Sequence, residues 1–395
     1  MNKKELPEGW VWKKLGEVCE IKNGKNQSSV VDPNGKYPIY GSAGIMGYAK
    51  DYLCNEGCTV VGRKGNINSP IYVPTKFWNV DTAFGLSPLK IINSKLLYFF
   101  CLGFNFRQLD TSTTIPSLTK NNLLTIPILL PPLPVQNAIV AKIEEIFSEL
   151  EHGVAQLKAA RAQLKVYRQA VLKWAFEGRL TNVEVVEGEL PEGWKWVRLN
   201  EISKITGGVT KGKDFKGKET IHLPYLRVAN VQDGYLDLKE IKTIEVLPSD
   251  REKYKLRLGD ILYTEGGDKD KLGRGCIWTN EIEECIHQNH IFRARPHLEQ
   301  VSSKYVAYFS QTKLAKNYFF KHGKQTTNLA SINLTILSNL PLPFPPLPEQ
   351  HRIVSEIERR LSECDRMEEV IAGSLRQAEV LRQGVLKRAF EGRLV

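Results

Sequence analysis

The stretch Pro-Pro-Leu-Pro-Val-Gln at residues 131–136 is found a second time, as Pro-Pro-Leu-Pro-Glu-Gln, at residues 345–350. A longer motif has the same displacement: the hexapeptide Ala-Phe-Glu-Gly-Arg-Leu at residues 175–180 returns at residues 389–394. The chain is therefore a tandem duplication, and the segment between these two motifs has the same length in both copies. A fixed length is typical of a rigid element with a set register.

A third repeated motif is displaced by a different amount. Leu-Pro-Glu-Gly-Trp opens the chain at residues 6–10 and returns at residues 190–194, a smaller displacement than that of the proline motif. A length difference of about 30 residues therefore lies between the opening motif and the proline motif of each copy. This part of each copy tolerates insertion, so each copy combines a variable globular part with a rigid one.

The rigid part has the heptad pattern of a coiled-coil helix. In the first copy, apolar residues fall every seven positions with a companion set beside them: Ile143, Leu150, Leu157, Leu164 and Val171, with Ile139, Ile146, Ala160, Tyr167 and Trp174. The second copy repeats the pattern with Ile357, Cys364, Ile371, Ala378 and Val385, and with Ile353, Met367 and Leu381, although Arg360, Ser374 and Arg388 depart from it.

The ends of both helices are marked by proline and glycine. Pro134 and Pro348 favour helix starts, and Gly178 and Gly392 favour C-terminal caps. Gly153, Gly373 and Gly384 are predicted weak points inside the helices.

A helix of about 42 residues spans roughly 63 Å, which is too long for either globular part to bury. The seam needs a partner helix, and we favour an antiparallel pair of the two copies over a homodimeric coiled coil. The predicted fold class is α+β, with two mixed α/β domains joined by two long antiparallel helices and an internal pseudo-twofold repeat. The predicted boundaries are 1–133 for the first domain, 134–180 for a central helix, 181–347 for a linker and the second domain, and 348–395 for a C-terminal helix.

Composition limits the partners and the compartment. Lys and Arg number 55 against 44 Asp and Glu, so the net charge of +11 makes a polyanion the first partner to consider. The seven cysteines are an odd number spread thinly, which favours reduced thiols that serve packing. No secretory leader or long apolar run is evident, so we expect a cytoplasmic protein without membrane contact.

The variable parts have short strands and short helices. Strands are predicted at 11–12, 58–62, 71–73 and 77–80 in the first copy, and at 223–228, 260–264, 275–279 and 290–295 in the second. Helices are predicted at 94–110 and 302–322, where apolar residues have helical spacing.

Loops rich in Arg, Lys, Asn, Gln and Thr are the candidate DNA contacts, because these side chains suit phosphates and base edges. A solvated surface explains any one of them equally well, so the prediction concerns the set. In the first copy it comprises Lys25, Arg63, Lys64 and Asn66 with Thr111, Thr113 and Thr114. In the second it comprises Lys211, Lys213, Lys216, Arg227, Lys269, Lys271, Arg274, Gln288 and Asn289 with Gln325, Thr326 and Thr327.

Two catalytic constellations were weighed against this interpretation. The loop at 207–213 has the spacing of a phosphate-binding loop, but Asp214 replaces the hydroxyl residue that holds magnesium, and no apolar strand is expected before it. Cys276, Cys285, His287 and His290 are potential metal ligands, but no Cys-x-x-Cys pair frames them. We therefore expect no catalytic residue and no metal site.

At this point the chain resembles the specificity subunits of type I restriction-modification systems. The resemblance rests on the doubled opening, proline and terminal motifs, on the Tyr-Pro-Ile-Tyr-Gly-Ser-Ala-Gly-Ile run at 37–45 and on Leu-Pro-Tyr-Leu-Arg-Val-Ala-Asn at 223–230. It implies two target-recognition domains that each read one half of a split site on double-stranded DNA. It also implies helical spacers that dock methyltransferase subunits, and assembly with restriction (translocase) subunits.

The same resemblance implies that S-adenosylmethionine, ATP and Mg²⁺ belong to the partner subunits and that this chain has no cofactor and is not an enzyme. The residues expected to shape the docking helices are those of the seam: Ile143, Leu150, Leu157, Leu164, Ile357, Ile371 and Val385. Two alternatives stay open, a free-standing coiled-coil DNA-binding regulator and an NTPase or metal-dependent enzyme.

Overall fold

The computed structural model describes residues 6–110, 112–182, 185–186, 188–212, 214–267, 272–297, 299–325 and 330–395, with the backbone alone at Gln325. It divides into two compact units: unit 1 is Met1–Ala159 with Ile371–Val395, and unit 2 is Ala160–Val370. We call residues 11–130 head 1 and residues 195–344 head 2. Each unit contains one head and part of both long helices, whereas the sequence boundaries kept each helix whole.

Head 1 is built from short strands and three short helices, and the first long helix follows it. Its strands form a four-stranded sheet in the order β2-β8-β5-β6, a three-stranded sheet β4-β3-β7 and a two-stranded pair β1-β9. The elements are β1 Val11–Lys14, α1 Leu15–Val18, β2 Cys19–Asn23, β3 Tyr37–Gly41, β4 Gly44–Ala49, β5 Cys58–Gly62, β6 Ile71–Val73, β7 Trp78–Asn79, β8 Ala83–Pro88, α2 Ser94–Gly103, α3 Lys120–Leu124, β9 Pro127–Leu130 and α4 Leu133–Phe176.

Head 2 repeats this order and adds to it. Its sheets are β11-β18-β14-β16, β13-β12-β17 and β10-β21, with a further small sheet β15-β20-β19. The elements are β10 Lys195–Arg198, α5 Leu199–Ile202, β11 Ser203–Thr206, β12 Ile221–Leu226, β13 Lys242–Val246, α6 Pro248–Tyr254, β14 Ile261–Thr264, β15 Gly266–Gly267, β16 Gly275–Ile277, β17 Ile286–His287, β18 Ile291–Pro296, α7 Ser303–Ser310, α8 Lys313–His322, β19 Lys324–Gln325, β20 Ala330–Ser331, α9 Leu334–Ser338, β21 Pro341–Phe344 and α10 Leu347–Phe390.

The predicted fold class is confirmed. Each predicted strand overlaps a strand of the structure. The two predicted helices are shorter than expected, because the first ends at Gly103 and continues only as a 3-10 turn at Phe106–Leu109, while the second is divided between Ser310 and Lys313 into α7 and α8. The main insertion lies between β12 and β13, where residues 227–241 replace the two-residue turn Ser42–Ala43 that joins β3 to β4.

The long helices α4 and α10 have 44 residues each and are continuous. Helical structure runs through Gly153, Gly373 and Gly384, so the predicted weak points do not break it. The helices run antiparallel within each unit. Arg382 contacts Glu151 at 3.0 Å in unit 1, and Arg168 contacts Asp365 at 2.6 Å in unit 2.

Both units have a core that joins the head to the start of one long helix and the end of the other. In unit 1, Ile143 of α4 and Leu386 of α10 are buried with head 1. In unit 2, Phe176 of α4 and Ile357 of α10 are buried with head 2. Burial of such a side chain stabilises the unit by roughly 1.5–3 kcal/mol, so each head is held on two helix ends.

The repeated sequence motifs meet in these cores. Gly178 ends α4 at φ 76°, and a Cβ placed on it would lie 2.1 Å from Cγ of Pro191. Gly392 ends α10 at φ 68°, and its Cβ would lie 2.8 Å from Cγ of Pro7. Each position needs glycine for its left-handed backbone and for the close approach of the proline. The helix-end motif is therefore packed against the opening motif in both units.

The cysteines are free and buried. Burial raises the pKa of Cys19, Cys54, Cys276 and Cys285 to about 12, which disfavours the thiolate needed for metal binding or nucleophilic chemistry. Within the described residues, no helix is long and apolar enough to span a membrane.

Candidate nucleic-acid interface

In head 1 the loop that contains Lys25 lies on the end of β7. The backbone N–H of Lys25 donates to the Asn79 carbonyl at 2.9 Å, and its own carbonyl accepts from Nε1 of Trp78 at 3.0 Å. The approach is close at the preceding residue, because a Cβ on Gly24 would lie 1.8 Å from the Val80 carbonyl oxygen. The Lys25 side chain itself is exposed.

The other two predicted loops of head 1 are neighbours. The backbone N–H of Gly65 donates to Pro116 at 2.9 Å, and that of Leu118 donates to Arg63 at 2.8 Å. Lys64, Asn66, Thr113 and Thr114 are exposed, and Arg63 is half-buried with its Nη1 3.3 Å from the Asp81 carbonyl. The structure therefore brings Arg63 to Asn66 and Thr113 to Thr114 together, while Thr111 lies outside the described residues.

In head 2 the loop after β11 contacts the end of β17, as the Lys25 loop contacts the end of β7 in head 1. The N–H of Val209 donates to the His287 carbonyl at 2.8 Å, and the N–H of Asn289 donates back to Val209 at 2.8 Å. A Cβ on Gly208 would lie 2.0 Å from the His287 carbonyl oxygen, as at Gly24 in head 1. The loop with exposed Lys211 is thereby placed beside half-buried Gln288 and Asn289.

Head 2 also has a counterpart of the contact between the Lys64 loop and residues 116–118 of head 1. Gly266 pairs with Ser331 between β15 and β20, as Lys64 pairs with Ser117 in head 1. Glu265, Gly266, His290, Lys324 and Ser331 line one cleft, with Nδ1 of His290 2.5 Å from Oε2 of Glu265. The predicted residues Lys213, Lys269, Lys271, Thr326 and Thr327, and the side chain of Gln325, lie outside what the structure describes.

Three predicted contacts in head 2 have intramolecular partners. Arg227 contacts Oε2 of Glu240 at 3.2 Å, and Arg274 donates to Oε1 of Gln232 at 2.7 Å, so both hold the 227–241 connection in place. Lys216 is 3.6 Å from Asp214, and its side chain is 92% exposed. Such an exposed pair is weak and leaves Lys216 available to a phosphate.

The structure bears on both alternative sites, the phosphate-binding loop and the metal site. A strand, β11, does lead directly into residues 207–213, but its sequence Ser-Lys-Ile-Thr is mostly polar, so the expectation that no apolar strand precedes the loop holds. The next element along the described chain is β12 rather than a helix, so the loop lacks the helix N-terminus that a phosphate-binding loop uses. No group of three or more potential metal ligands is found among the described residues.

The family model described as the type I restriction modification DNA specificity domain matches residues 7–158 and again residues 191–372. The chain belongs to this family. Its two matches coincide with the two heads and the helix segments that follow them.

Curated relatives are similar to this specificity subunit over its whole length. It is 24% identical to the type I restriction enzyme EcoDI specificity subunit of Escherichia coli, with 100% of this chain and 90% of the relative covered. It is 26% identical to the MjaVIII specificity subunit of Methanocaldococcus jannaschii, with 100% and 95% covered.

Two solved structures share the fold. One, from work on assembly and conformational transition of the type I R-M system, has a TM-score of 0.74 at 20% identity and covers 99% of this chain and all of its own. The HsdS subunit of Thermoanaerobacter tengcongensis has a TM-score of 0.61 at 19% identity, with 99% of both chains covered.

None of the seam residues named for docking is fully exposed. Ile143, Ile357 and Ile371 are buried, and Leu150, Leu157, Leu164 and Val385 are half-buried. The large apolar residues that the helices expose are Val166, Tyr167, Met367 and Val370 in unit 2, and Leu133, Val380 and Leu381 in unit 1. Three of them, Tyr167, Met367 and Leu381, are predicted seam positions, so the seam is not buried along its whole length.

Sequence reasoning missed an apolar tip on head 1. Ile45 and Met46, at the start of β4 just after the Ser42–Ala43 turn, are 57% and 63% exposed. Ser42 Oγ in this turn lies 3.8 Å from where a Cβ on Gly65 would be, so the tip adjoins the loop with Lys64. Alternation along a strand does not tell which face is covered, so the sequence carries no signal that these two apolar residues are exposed.

Proposed function

We propose that this specificity subunit reads a split site on double-stranded DNA, with one half-site bound by each head, and that it has no catalysis of its own. The observation that carries the proposal is the match between the heads, whose exposed side chains differ. In each head, the segment at the end of β7 or β17 bonds to two other loops: Ala83 and Thr82 accept from Gly24 and Arg63 in head 1, and His287 and His290 accept from Val209 and Glu265 in head 2. Two domains that bind different DNA sequences are expected to share a backbone fold and to differ in the side chains on their DNA-facing surfaces.

The charges and side chains of these faces support DNA as the ligand. Lys25 and Lys64 in head 1, and Lys211 and Lys216 in head 2, are exposed cations on or beside the converging loops. Cations of this kind gain affinity by releasing counterions from phosphates, and the neighbouring Asn, Gln and Thr side chains suit base edges.

We further propose that methyltransferase and restriction (translocase) subunits dock on the chain, and that they supply S-adenosylmethionine, ATP and Mg²⁺. The exposed apolar residues on the long helices, Val166 and Met367 in unit 2 and Val380 in unit 1, fit protein partners better than solvent. A free-standing regulator would leave these residues in water.

The test joins co-purification with mapping of methylated sites. The full chain, co-expressed with the methyltransferase of its own operon, is expected to co-purify with it and to direct methylation to a split sequence. Replacing residues 11–130 with the corresponding segment of a relative should change one half-site and leave the other intact. A change in both halves, or failure of the chain to co-purify with the methyltransferase, would contradict the proposal.

The gap between half-sites gives a second test. Deleting one heptad from each long helix shortens it by about 10 Å, which corresponds to roughly three base pairs at about 3.4 Å each. The gap is expected to change accordingly, with both half-sites unaltered. An unchanged gap would refute a spacing role for the helices.

A further inference from the structure

The glutamine that ends each proline motif is buried at the junction between a head and its long helix. Gln136 is 1% exposed and Gln350 is completely buried. Both lie in the first turns of their helices, in α4 and α10. A polar side chain at such a depth is tolerated only when its amide is fully hydrogen-bonded, so its partners show what it holds together.

Gln136 joins two backbone segments of unit 1, residues 91–93 of the head and residues 131–136 at the start of α4. Its Oε1 accepts from the backbone N–H of Asn93 at 2.7 Å, and its Nε2 donates to the carbonyls of Ile91 at 2.9 Å and Pro131 at 2.8 Å. Asn93 is the N-cap of α2, where its own Oδ1 accepts from Lys95 and Leu96. The side chain therefore ties the start of α4 to the start of the head helix.

Gln350 makes the matching set of bonds in unit 2. Its Oε1 accepts from the N–H of Ser302 at 2.8 Å, and its Nε2 donates to Gln300 at 3.2 Å and to Pro345 at 2.9 Å. Ser302 is the N-cap of α7. Two heads that differ in length and in surface thus share one polar junction with the same geometry.

We propose that Gln136 and Gln350 are positioning residues that fix the direction of each head on its helix, and so turn helix length into one permitted gap between half-sites. This inference rests on the proposed split-site function. One base pair of gap displaces a half-site by about 3.4 Å and rotates it by about 35°. A head that is held firmly at its junction cannot follow both changes.

Apolar packing alone would not give this constraint. Side chains such as Ile143 and Ile357 hold the head on its helix, but apolar contact has no direction. Three hydrogen bonds from one planar amide, two to the head and one to a residue just before the helix, do have direction. The exposed ion pairs Lys95 with Glu144 and Lys304 with Glu358 cross the same junctions, but solvent and salt weaken them.

The experiment uses the full chain in complex with its methyltransferase and a plasmid library that carries both half-sites at the native gap and at gaps one base pair shorter or longer. Gln350→Met keeps the volume and removes the bonds. We expect the ratio of methylation at the native gap to methylation at the altered gaps to fall by roughly tenfold, the size of effect that one mismatched base pair has. The half-site sequences should not change.

Two controls separate positioning from general destabilisation. Tyr263→Phe removes the 2.6 Å bond to Ser310 inside head 2 without touching the junction, and it should leave the gap preference sharp. Lys304→Met removes the exposed tether, and it should have little effect. If Gln350→Met does not fold, Gln350→Asn, which keeps the amide but is one methylene shorter, takes its place alongside Gln136→Met.

A folded Gln350 variant with a gap preference as sharp as that of the wild type would overturn the inference. A loss of methylation that is equal at all gaps would also overturn it, because that result indicates a structural role only. Failure of the wild type to methylate any split site would refute the proposed function instead, so the two failures are distinguishable.

Discussion

Heads 1 and 2 have the same strand register but fill equivalent positions with different chemistry. Strand pairing aligns Cys58 and Ser87 of head 1 with Asp260 and Arg295 of head 2. In head 1 these are a thiol and a hydroxyl 3.1 Å apart. In head 2 they are a carboxylate and a guanidinium joined by two bonds of 2.7 Å.

A second equivalent pair lies beside the candidate DNA face. Nδ2 of Asn79 donates to the Ala83 carbonyl at 3.0 Å in head 1, and Nδ1 of His287 is 2.8 Å from the Ile291 carbonyl in head 2. A carbonyl only accepts, so Nδ1 of His287 carries the proton. The frame requires a donor at this position but not a particular residue, so the same fold tolerates groups with different responses to charge and pH.

The largest expected effect is at the charged pair of head 2. Asp260 is 1% exposed, and Asp260→Asn would leave Arg295 and buried Arg293 without their counter-charge. Loss of one partner of a buried pair destabilises a protein by about 3 kcal/mol or more. We expect urea denaturation to show this loss and hydrogen exchange to place it in head 2.

The matched control is Ser87→Ala in head 1. Only a weak bond to the Cys58 thiol is lost, so the free energy of unfolding should fall by about 1 kcal/mol or less. Equal losses for the two variants would show that the charged pair of head 2 has no special weight.

The next effect is a pH dependence confined to head 2. Burial lowers the pKa of His287 to about 4, whereas a histidine in the unfolded chain has its ordinary value of 6.5. The unfolded chain therefore binds a proton that the folded chain refuses, and stability falls as the pH drops from about 6.5 towards 4. Between pH 7 and pH 5 this amounts to about 2 kcal/mol.

His287→Asn places the residue of head 1 in head 2 and tests this directly. Asparagine keeps a donor for the Ile291 carbonyl and does not titrate. Urea midpoints measured at pH 7 and pH 5 should therefore fall less in the variant than in the wild type. Parallel pH profiles for the two proteins would rule out His287 as the source.

The smallest effect concerns the surface of head 1. Met46→Ser should weaken binding of the complex to its own site by roughly tenfold, if the tip contacts base edges such as thymine methyl groups.

Lys64→Ala should weaken binding to all sequences and reduce the salt dependence of log K by about one unit. Fluorescence anisotropy over a salt series measures both.

Leu89→Ser serves as the control for the tip, since this residue of head 1 is also exposed, at 44%. We expect no change in affinity for it. An effect of Leu89→Ser equal to that of Met46→Ser would mean that loss of apolar surface in general, and not the tip, is responsible.

The sequence predicted the helices best, but it could not show which of the candidate DNA contacts have partners within the chain. The heptads of α4 and α10 repeat over many turns, and the Pro and Gly residues at their ends have conformational preferences of their own, so both helices were found within a few residues. Arg227 and Arg274 were predicted as DNA contacts, but Glu240 and Gln232 hold them. Neither pairing is local in sequence, and no periodicity reports it.

The sequence by itself determined the duplication, the two heads and the two stiff helices, because repeats, heptads and capping residues act over short distances along the chain. Only the tertiary structure decided which loops share a face, which seam residues are buried inside a unit and which glutamine hydrogen bonds hold a head to its helix. Those outcomes depend on contacts between residues far apart in the chain, such as Gln136 with Ile91 or Lys64 with Ser117. Such contacts form when strands pair and cores close, and no local preference encodes them.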